Sequence, residues 1–257
     1  MTVTADQGLA APGEQLLSTI DVFGATHPGR ARIANEDQFF IASLHKSVRV
    51  RQTSLAALAE LAGRQGPPAY LLVVADGVGG VAGGEQASGT AVATLAEHIG
   101  QTIGCYCNFD VERENEFLEQ LEHAGEASHQ RIRAELGRDG RSPATTLTMV
   151  ALMWPRAYLV HVGDSRAYYL RGGRLRQLTR DQTAYEELVD QGVMTEEQAR
   201  RAGLRSVLTS ALGAQIKPSV GLVDLEPGDA LRRCTAGLSK PVPDADIAAM
   251  LETDEPA

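Results

Sequence analysis

Tyr70-Leu-Leu-Val-Val-Ala-Asp-Gly-Val-Gly-Gly80 is the stretch on which the fold turns. The unbroken apolar run Tyr70–Ala75 predicts a strand buried on both faces. It ends on a carboxylate, Asp76, and runs directly into glycines. Beyond them Glu85–Ile99 carries Val92, Leu95 and Ile99 on one face of a helix. A carboxylate at a strand end projects into whatever cleft the loop lines, and glycines let backbone oxygens approach a ligand closely. Hard divalent cations favour such oxygens. The same residues also suit a plain strand-to-helix turn, in which Asp76 caps the loop and Gly supplies positive φ. The loop lacks the Lys-Ser/Thr end of a P-loop.

Upstream, apolar stretches Ile20–Ala25 and Asp37–Ala42 flank a His27-Pro-Gly-Arg30 turn and predict two short strands. Leu55, Leu58 and Leu61 predict a short helix within Arg51–Gly66. Downstream, a second helix is expected over Val111–Leu136, with Phe117, Leu118, Leu121, Ala124, Ile132 and Leu136 inward. Thr146–Leu152, Ala157–Val162, Arg166–Leu170 and Arg174–Leu178 then read as an antiparallel meander with tight turns. Thr183–Gly203 returns to helix, Val220–Asp224 and Ala230–Thr235 are strands, and Asp244–Leu251 is a short terminal helix. This order is that of an α+β protein rather than a doubly wound parallel sheet. Residues 1–18 read as a flexible leader and 19–257 as one domain.

Composition narrows the function. The chain has 257 residues, is 43% hydrophobic and 22% charged, and has a net charge of −9. It is an ordinary globular chain, and its acidity argues against nucleic acid as a partner. Three cysteines, Cys105, Cys107 and Cys234, argue against a disulfide framework and for a reducing compartment. Cys105-Tyr-Cys107 has no second ligand pair, so no zinc site is expected. No apolar run is long enough to span a membrane and no signal peptide is legible, so a cytoplasmic monomer is expected.

Two further fragments carry charge in special places. In Arg30-Ala-Arg32-Ile-Ala-Asn35-Glu36-Asp37, adjacent carboxylates repel unless a cation or solvent screens them. Arg32 has the geometry to bind a phosphate with both arms of its guanidinium. An exposed polar turn is the alternative. His161-Val-Gly163-Asp164-Ser165-Arg166 puts a carboxylate in a tight turn between strands, where a structural Asx-turn is the competing reading.

Taken together and in order, the fragments resemble the metal-dependent protein phosphatases of the type 2C class, in their bacterial branch. The matching stretches are Arg32–Asp37, Ala75–Gly80 with Gly84-Glu-x-Ala-Ser88, Thr145-Thr-Leu147, Gly163-Asp-Ser-Arg166, Leu178-Thr-Arg-Asp181 and Leu208-Thr-Ser-Ala-Leu-Gly213. The similarity runs from about Ile20 to Leu251. It implies an α-β-β-α sandwich of two antiparallel sheets flanked by helices. It also implies a binuclear Mn²⁺ or Mg²⁺ centre that activates water for in-line attack on a phosphoserine or phosphothreonine. By this resemblance Asp76 bridges two metals and the Gly77 carbonyl completes one shell. Glu36 and Asp37 hold the second metal, Arg32 clamps the phosphate, and Asp164 helps hold a third metal near a flap formed by Thr183–Gly203. The implied partner is a phosphorylated protein of bacterial signalling, either a serine/threonine kinase or its substrates.

The sequence departs from the family in four places. Cys234-Thr-Ala-Gly-Leu-Ser239 has Ala236 where relatives carry a metal-ligand Asp. Arg232-Arg233 interrupts a strand where the family is apolar, so one guanidinium must face a core. No match follows Ser239 to the family's last strand with its Asp-Asn pair, so the sandwich is expected to lack that strand and its ligand. Val81 stands where many relatives have His, a proton donor to the leaving group. One metal bound weakly and the other hardly at all is the expectation. A pseudophosphatase that binds a phosphoprotein or kinase without turnover is the alternative function.

Overall fold

The computed structural model describes residues 20–30, 34–44, 69–78, 83–107, 114–136 and 143–252. The leader at 1–18, the helix expected within Arg51–Gly66 and the start of the helix expected from Val111 lie outside them. The large sheet is built from β1 (Asp37–Leu44), β2 (Ala69–Val78), β4 (Leu147–Met153), β5 (Arg156–Val162) and β8 (Ser219–Asp224), in the order β1-β2-β4-β5-β8. The two-residue β3 (Ala144–Thr145) pairs with the end of β2. A smaller sheet has the order β7-β6-β9, from β6 (Arg166–Arg171), β7 (Arg174–Gln177) and β9 (Ala230–Cys234). Every pairing is antiparallel.

The period-two alternation of β2 sorts its side chains between two cores. Leu71 and Val73 meet Leu147, Met149 and Tyr158 on one face. That face is covered by α1 (Gly83–Cys107) through Ala87, Ala91 and Leu95, and by α2 (Glu114–Leu136) through Phe117, Leu121 and Ile132. Phe117 meets Tyr158 edge to face, with centroids 5.0 Å apart. On the other face Leu72, Val150, Leu152 and Leu159 pack against Ala167, Tyr169 and Leu231 of the smaller sheet. The outer side of that sheet packs Tyr168 and Cys234 on Ile247 of α6 (Asp244–Glu252). Helices, sheet, sheet and helix therefore lie in the layer order expected.

Two expected elements differ. Ile20–Ala25 forms no β-ladder. Ile20 and Val22 still pack on the inter-sheet core, so burial rather than strand pairing places this segment. Thr183–Gly203 is two helices, α3 (Ala184–Asp190) and α4 (Glu196–Arg201). Gly192 takes a left-handed φ of 67°, which ends the first helix. Thr195 and Gln198 then form a reciprocal capping box that starts the second.

The Arg232-Arg233 pair behaves as its alternation requires. Arg233 lies opposite Ala167 and so faces the inter-sheet core. Its Nη1 is buried and has no hydrogen-bond partner among the described residues. Burial pulls its pKa down to about 10. An apolar side chain there removes the desolvation cost, so Arg233→Leu is expected to stabilise the fold by about 1–4 kcal/mol. Urea denaturation at pH 7 of wild type and variant checks this: the midpoint moves up, with the slope unchanged.

Candidate metal centre and phosphate site

The site grows from the register of β1 on β2. Asp37 pairs directly with Asp76, so both side chains leave the same face at the end of the large sheet, toward the smaller one. Like charges in this register repel. The backbone of β2 is fixed where it matters. The Asp76 N–H donates to Thr146 Oγ1 at 3.0 Å, and the Asp76 carbonyl accepts from Thr146 N at 2.9 Å and Thr145 Oγ1 at 3.0 Å. Gly77 N–H donates to the Glu36 carbonyl at 3.2 Å. Ser88 Oγ on α1 reaches the same carbonyl at 2.7 Å. The Thr145-Thr-Leu147 and Gly84–Ser88 motifs thus hold the chain on either side of the carboxylates.

Glycine is required here by close approach. A Cβ on Gly77 would sit 2.3 Å from the Gly84 carbonyl oxygen, and one on Gly84 would sit 2.9 Å from Glu36 Oε1. The N-terminal turn of α1 therefore touches the end of β2 backbone to backbone.

A hydroxyl network extends the site below Asp76. Thr146 Oγ1 lies 2.7 Å from Ser165 Oγ, and Thr148 Oγ1 lies 3.1 Å from the Ser165 carbonyl oxygen. His161 is fully buried, with Nδ1 2.9 Å from Thr148 Oγ1 and Nε2 3.1 Å from the Arg180 carbonyl. Burial lowers its pKa from the ordinary histidine value. His129 is lowered by the same cause, and its Nδ1 accepts the Gly213 N–H at 3.0 Å. Gly213 ends the Leu208–Gly213 motif with φ 89°, and Leu212 bridges to Thr145. Arg166 of the Gly163–Arg166 motif holds both oxygens of Asp181, each at 2.8 Å, which raises the guanidinium pKa.

From the smaller sheet, Thr235 Oγ1 donates to Asp37 Oδ2 at 2.7 Å. Its hydroxyl is thereby diverted from capping the short helix α5 (Ala236–Ser239). Ala236 follows directly, so a methyl group stands where the resemblance expects an oxygen. Asp164 is buried and ion-paired with Lys240 Nζ at 2.8 Å. Glu36, Asp37, Asp76 and Gly77 thus come together at one sheet end, and Asp164 is joined to it through Ser165 and Thr146. Arg32, Gly79, Gly80 and Val81 lie outside the described residues. Among those described, no three His, Cys, Asp or Glu side chains gather closely enough to hold an ion. Two facing carboxylates and a carbonyl still suit one hard divalent cation completed by water. The Asp164 position, already neutralised, does not fit a second cation in the same way.

The sequence reading did not anticipate Thr235 or Lys240. The motif order pointed to Thr145, Thr146, Arg166 and Asp181, but not to what they bind. No sequence pattern links Lys240 to Asp164, because the pair forms only when α5 docks beside the β5–β6 turn.

The fold agrees with the comparisons. The description "Protein phosphatase 2C" matches residues 57–253, and the chain belongs to that family. The serine/threonine protein phosphatase PstP of Mycobacterium tuberculosis is 38% identical over 192 residues, 74% of this chain and 35% of that relative. The chain thus spans about a third of the length of this curated relative. Protein phosphatase PhpP of Streptococcus pneumoniae is 32% identical over 190 residues, 72% of this chain and 74% of the relative. The crystal structure of the M. tuberculosis PstP/Ppp phosphatase superposes with a TM-score of 0.67 at 32% identity, covering 90% of this chain and 84% of that one. The PstP catalytic domain solved with two manganese ions gives a TM-score of 0.63 at 30% identity, covering 88% and 81%.

Two outcomes follow from this geometry. Gly77→Ala forces backbone apart at the Gly84 contact and is expected to cost about 1–3 kcal/mol of stability, read by urea denaturation. The two lowered histidines bind fewer protons folded than unfolded. Their contribution to stability is therefore present above about pH 6.5 and is lost as pH falls. NMR titration of the folded chain should show both imidazoles protonating below the ordinary value of about 6.5.

Proposed function

We propose that the chain is a metal-dependent phosphatase acting on phosphoserine and phosphothreonine in proteins. The observation that carries this reading is the direct pairing of Asp37 with Asp76 at the end of β2. A cation between them turns a repulsive register into a site. Asp37, Asp76 and the Gly77 carbonyl would hold Mn²⁺ or Mg²⁺, with Glu36 beside them. Such an ion supplies Lewis-acid activation of water and charge stabilisation at phosphorus. The phosphomonoester and water give the free serine or threonine hydroxyl and inorganic phosphate, with no covalent enzyme intermediate.

The chain's own residues set the geometry. Thr145 and Thr146 fix the Asp76 backbone, and Thr235 holds one oxygen of Asp37. Arg32, by resemblance, orients the phosphate through a two-pronged guanidinium contact. The name of the PstP relative supports a serine/threonine phosphoprotein as substrate; a signalling kinase or its targets as the partner rests on the sequence resemblance alone. Among the described residues, no helix is long and apolar enough to cross a membrane.

A second reading has its own observations. The Ala236 side chain offers no oxygen, and Asp164 is neutralised by Lys240. Both favour a phosphoprotein-binding role with little or no turnover. Hydrolysis of a phosphothreonine peptide with and without millimolar Mn²⁺, beside Asp76→Ala, decides between them. The expected result is turnover that requires Mn²⁺ and falls by about 10²-fold or more in the variant. Peptide binding without turnover in a folded sample selects the binding role.

A further inference from the structure

We propose that the Lys240 ammonium is the resident cation of Asp164 and keeps a metal ion out of that position. The inference rests on the phosphatase reading only in taking Asp164 as the place where the resemblance puts a further metal. Three observations carry it.

The first is burial. The Asp164 side chain is only 6% exposed, and a buried carboxylate requires a positive partner or a set of donors. Lys240 Nζ supplies that partner at 2.8 Å. The second is that the neighbouring cation is committed. Arg166, two residues on, gives Nε and Nη2 to Asp181 and Nη1 to the Tyr168 hydroxyl, so its charge is spent elsewhere. The third is delivery. Lys240 ends α5, with its N–H donating to the Ala236 carbonyl at 3.2 Å. Buried Ser239 ties the same turn back to the Thr235 carbonyl through its N–H at 3.2 Å and its hydroxyl at 3.3 Å. Thr235 in turn is anchored on Asp37. The ammonium is therefore presented to Asp164 by a short, pinned turn.

The same turn changes the charge of the site twice. At Ala236 it withholds a carboxylate, and at Lys240 it adds a positive charge. A divalent ion at Asp164 would have to displace an ammonium and then sit beside it. An ammonium is a compact point charge without acceptor capacity, so it neutralises the carboxylate but activates no water. The chain thereby satisfies Asp164 at all metal concentrations.

The test counts ions. Calorimetric titration with Mn²⁺, together with electron paramagnetic resonance of free and bound Mn²⁺, is run on the full chain as wild type, Lys240→Met, Lys240→Arg and Asp164→Asn. Lys240→Met is expected to bind one Mn²⁺ per chain more than wild type. Lys240→Arg, which keeps a cation, is expected to match wild type. The double variant Asp164→Asn with Lys240→Met is expected to lose the added ion. Asp164→Asn alone is expected to leave the wild-type Mn²⁺ count unchanged, and this arm stands even where Lys240→Met does not fold. Equal counts in wild type and folded Lys240→Met, or loss of an ion in Asp164→Asn, overturn the proposal. Hydrolysis of the phosphothreonine peptide is recorded on the same samples. Its absence in wild type sinks the phosphatase reading while the ion counts still judge Lys240.

Discussion

The backbone at Asp76 is the constraint on which the rest depends. The buried strand β2 carries a charge, Asp76, near its end, and the buried backbone there has to stay paired. Thr145 and Thr146 satisfy the donor and acceptor of Asp76, and the Glu36 carbonyl takes the next amide. Because Gly77 meets the Gly84 carbonyl with no room for a Cβ, α1 is set at one distance from β2. That distance brings Ser88 onto Glu36 and aligns α1 over the helix-side core. The same few contacts therefore fix the layer spacing and aim the carboxylates.

The second sheet contributes differently. It brings Thr235 to Asp37 and Lys240 to Asp164, so its last strand and the turn after it act on acids supplied by the first sheet. The cost of that strand is visible at Arg233, whose buried Nη1 meets no partner among the described residues. One strand thus carries both a contact to the site and a source of instability. A single side-chain change at Arg233 would separate the two without touching Thr235.

Much of this was legible in the sequence. The run Tyr70–Ala75 identified a strand buried on both faces, β2, and the period-two and helical patterns gave the elements around it. The family resemblance implies a common metal centre for Glu36, Asp37, Asp76 and Gly77, and the β1–β2 register sets Asp37 opposite Asp76. Misreadings arose where local pattern competes with context. Ile20–Ala25 has strand composition, but strand pairing is a property of a neighbour, not of the segment. Thr183–Gly203 has helical composition, and its break depends on one left-handed glycine and one capping box. The Asp164–Lys240 pair was not legible because nothing in either segment names the other.

The segment between Gln182 and Thr209 is closed at its base. Gln182 N–H donates to the Gly163 carbonyl at 2.8 Å and its side-chain oxygen accepts the Gly163 N–H at 2.8 Å, while Thr209 N–H donates to the Gln182 carbonyl at 2.9 Å. Thr183 and Leu208 pair across the neck, and Ala184 N–H reaches the Val207 carbonyl at 2.8 Å. Within the loop the ion pairs of Glu197 with Arg200 and Arg201 are local. A neck pinned in this way fixes where the loop leaves and rejoins the body of the fold, and the exposed ion pairs of Arg180 with Glu186 and Asp190 and of Lys217 with Glu187 lay its first helix beside that neck. Helices inside it can lengthen, shorten or change partner in related chains without moving the strands that hold the acids.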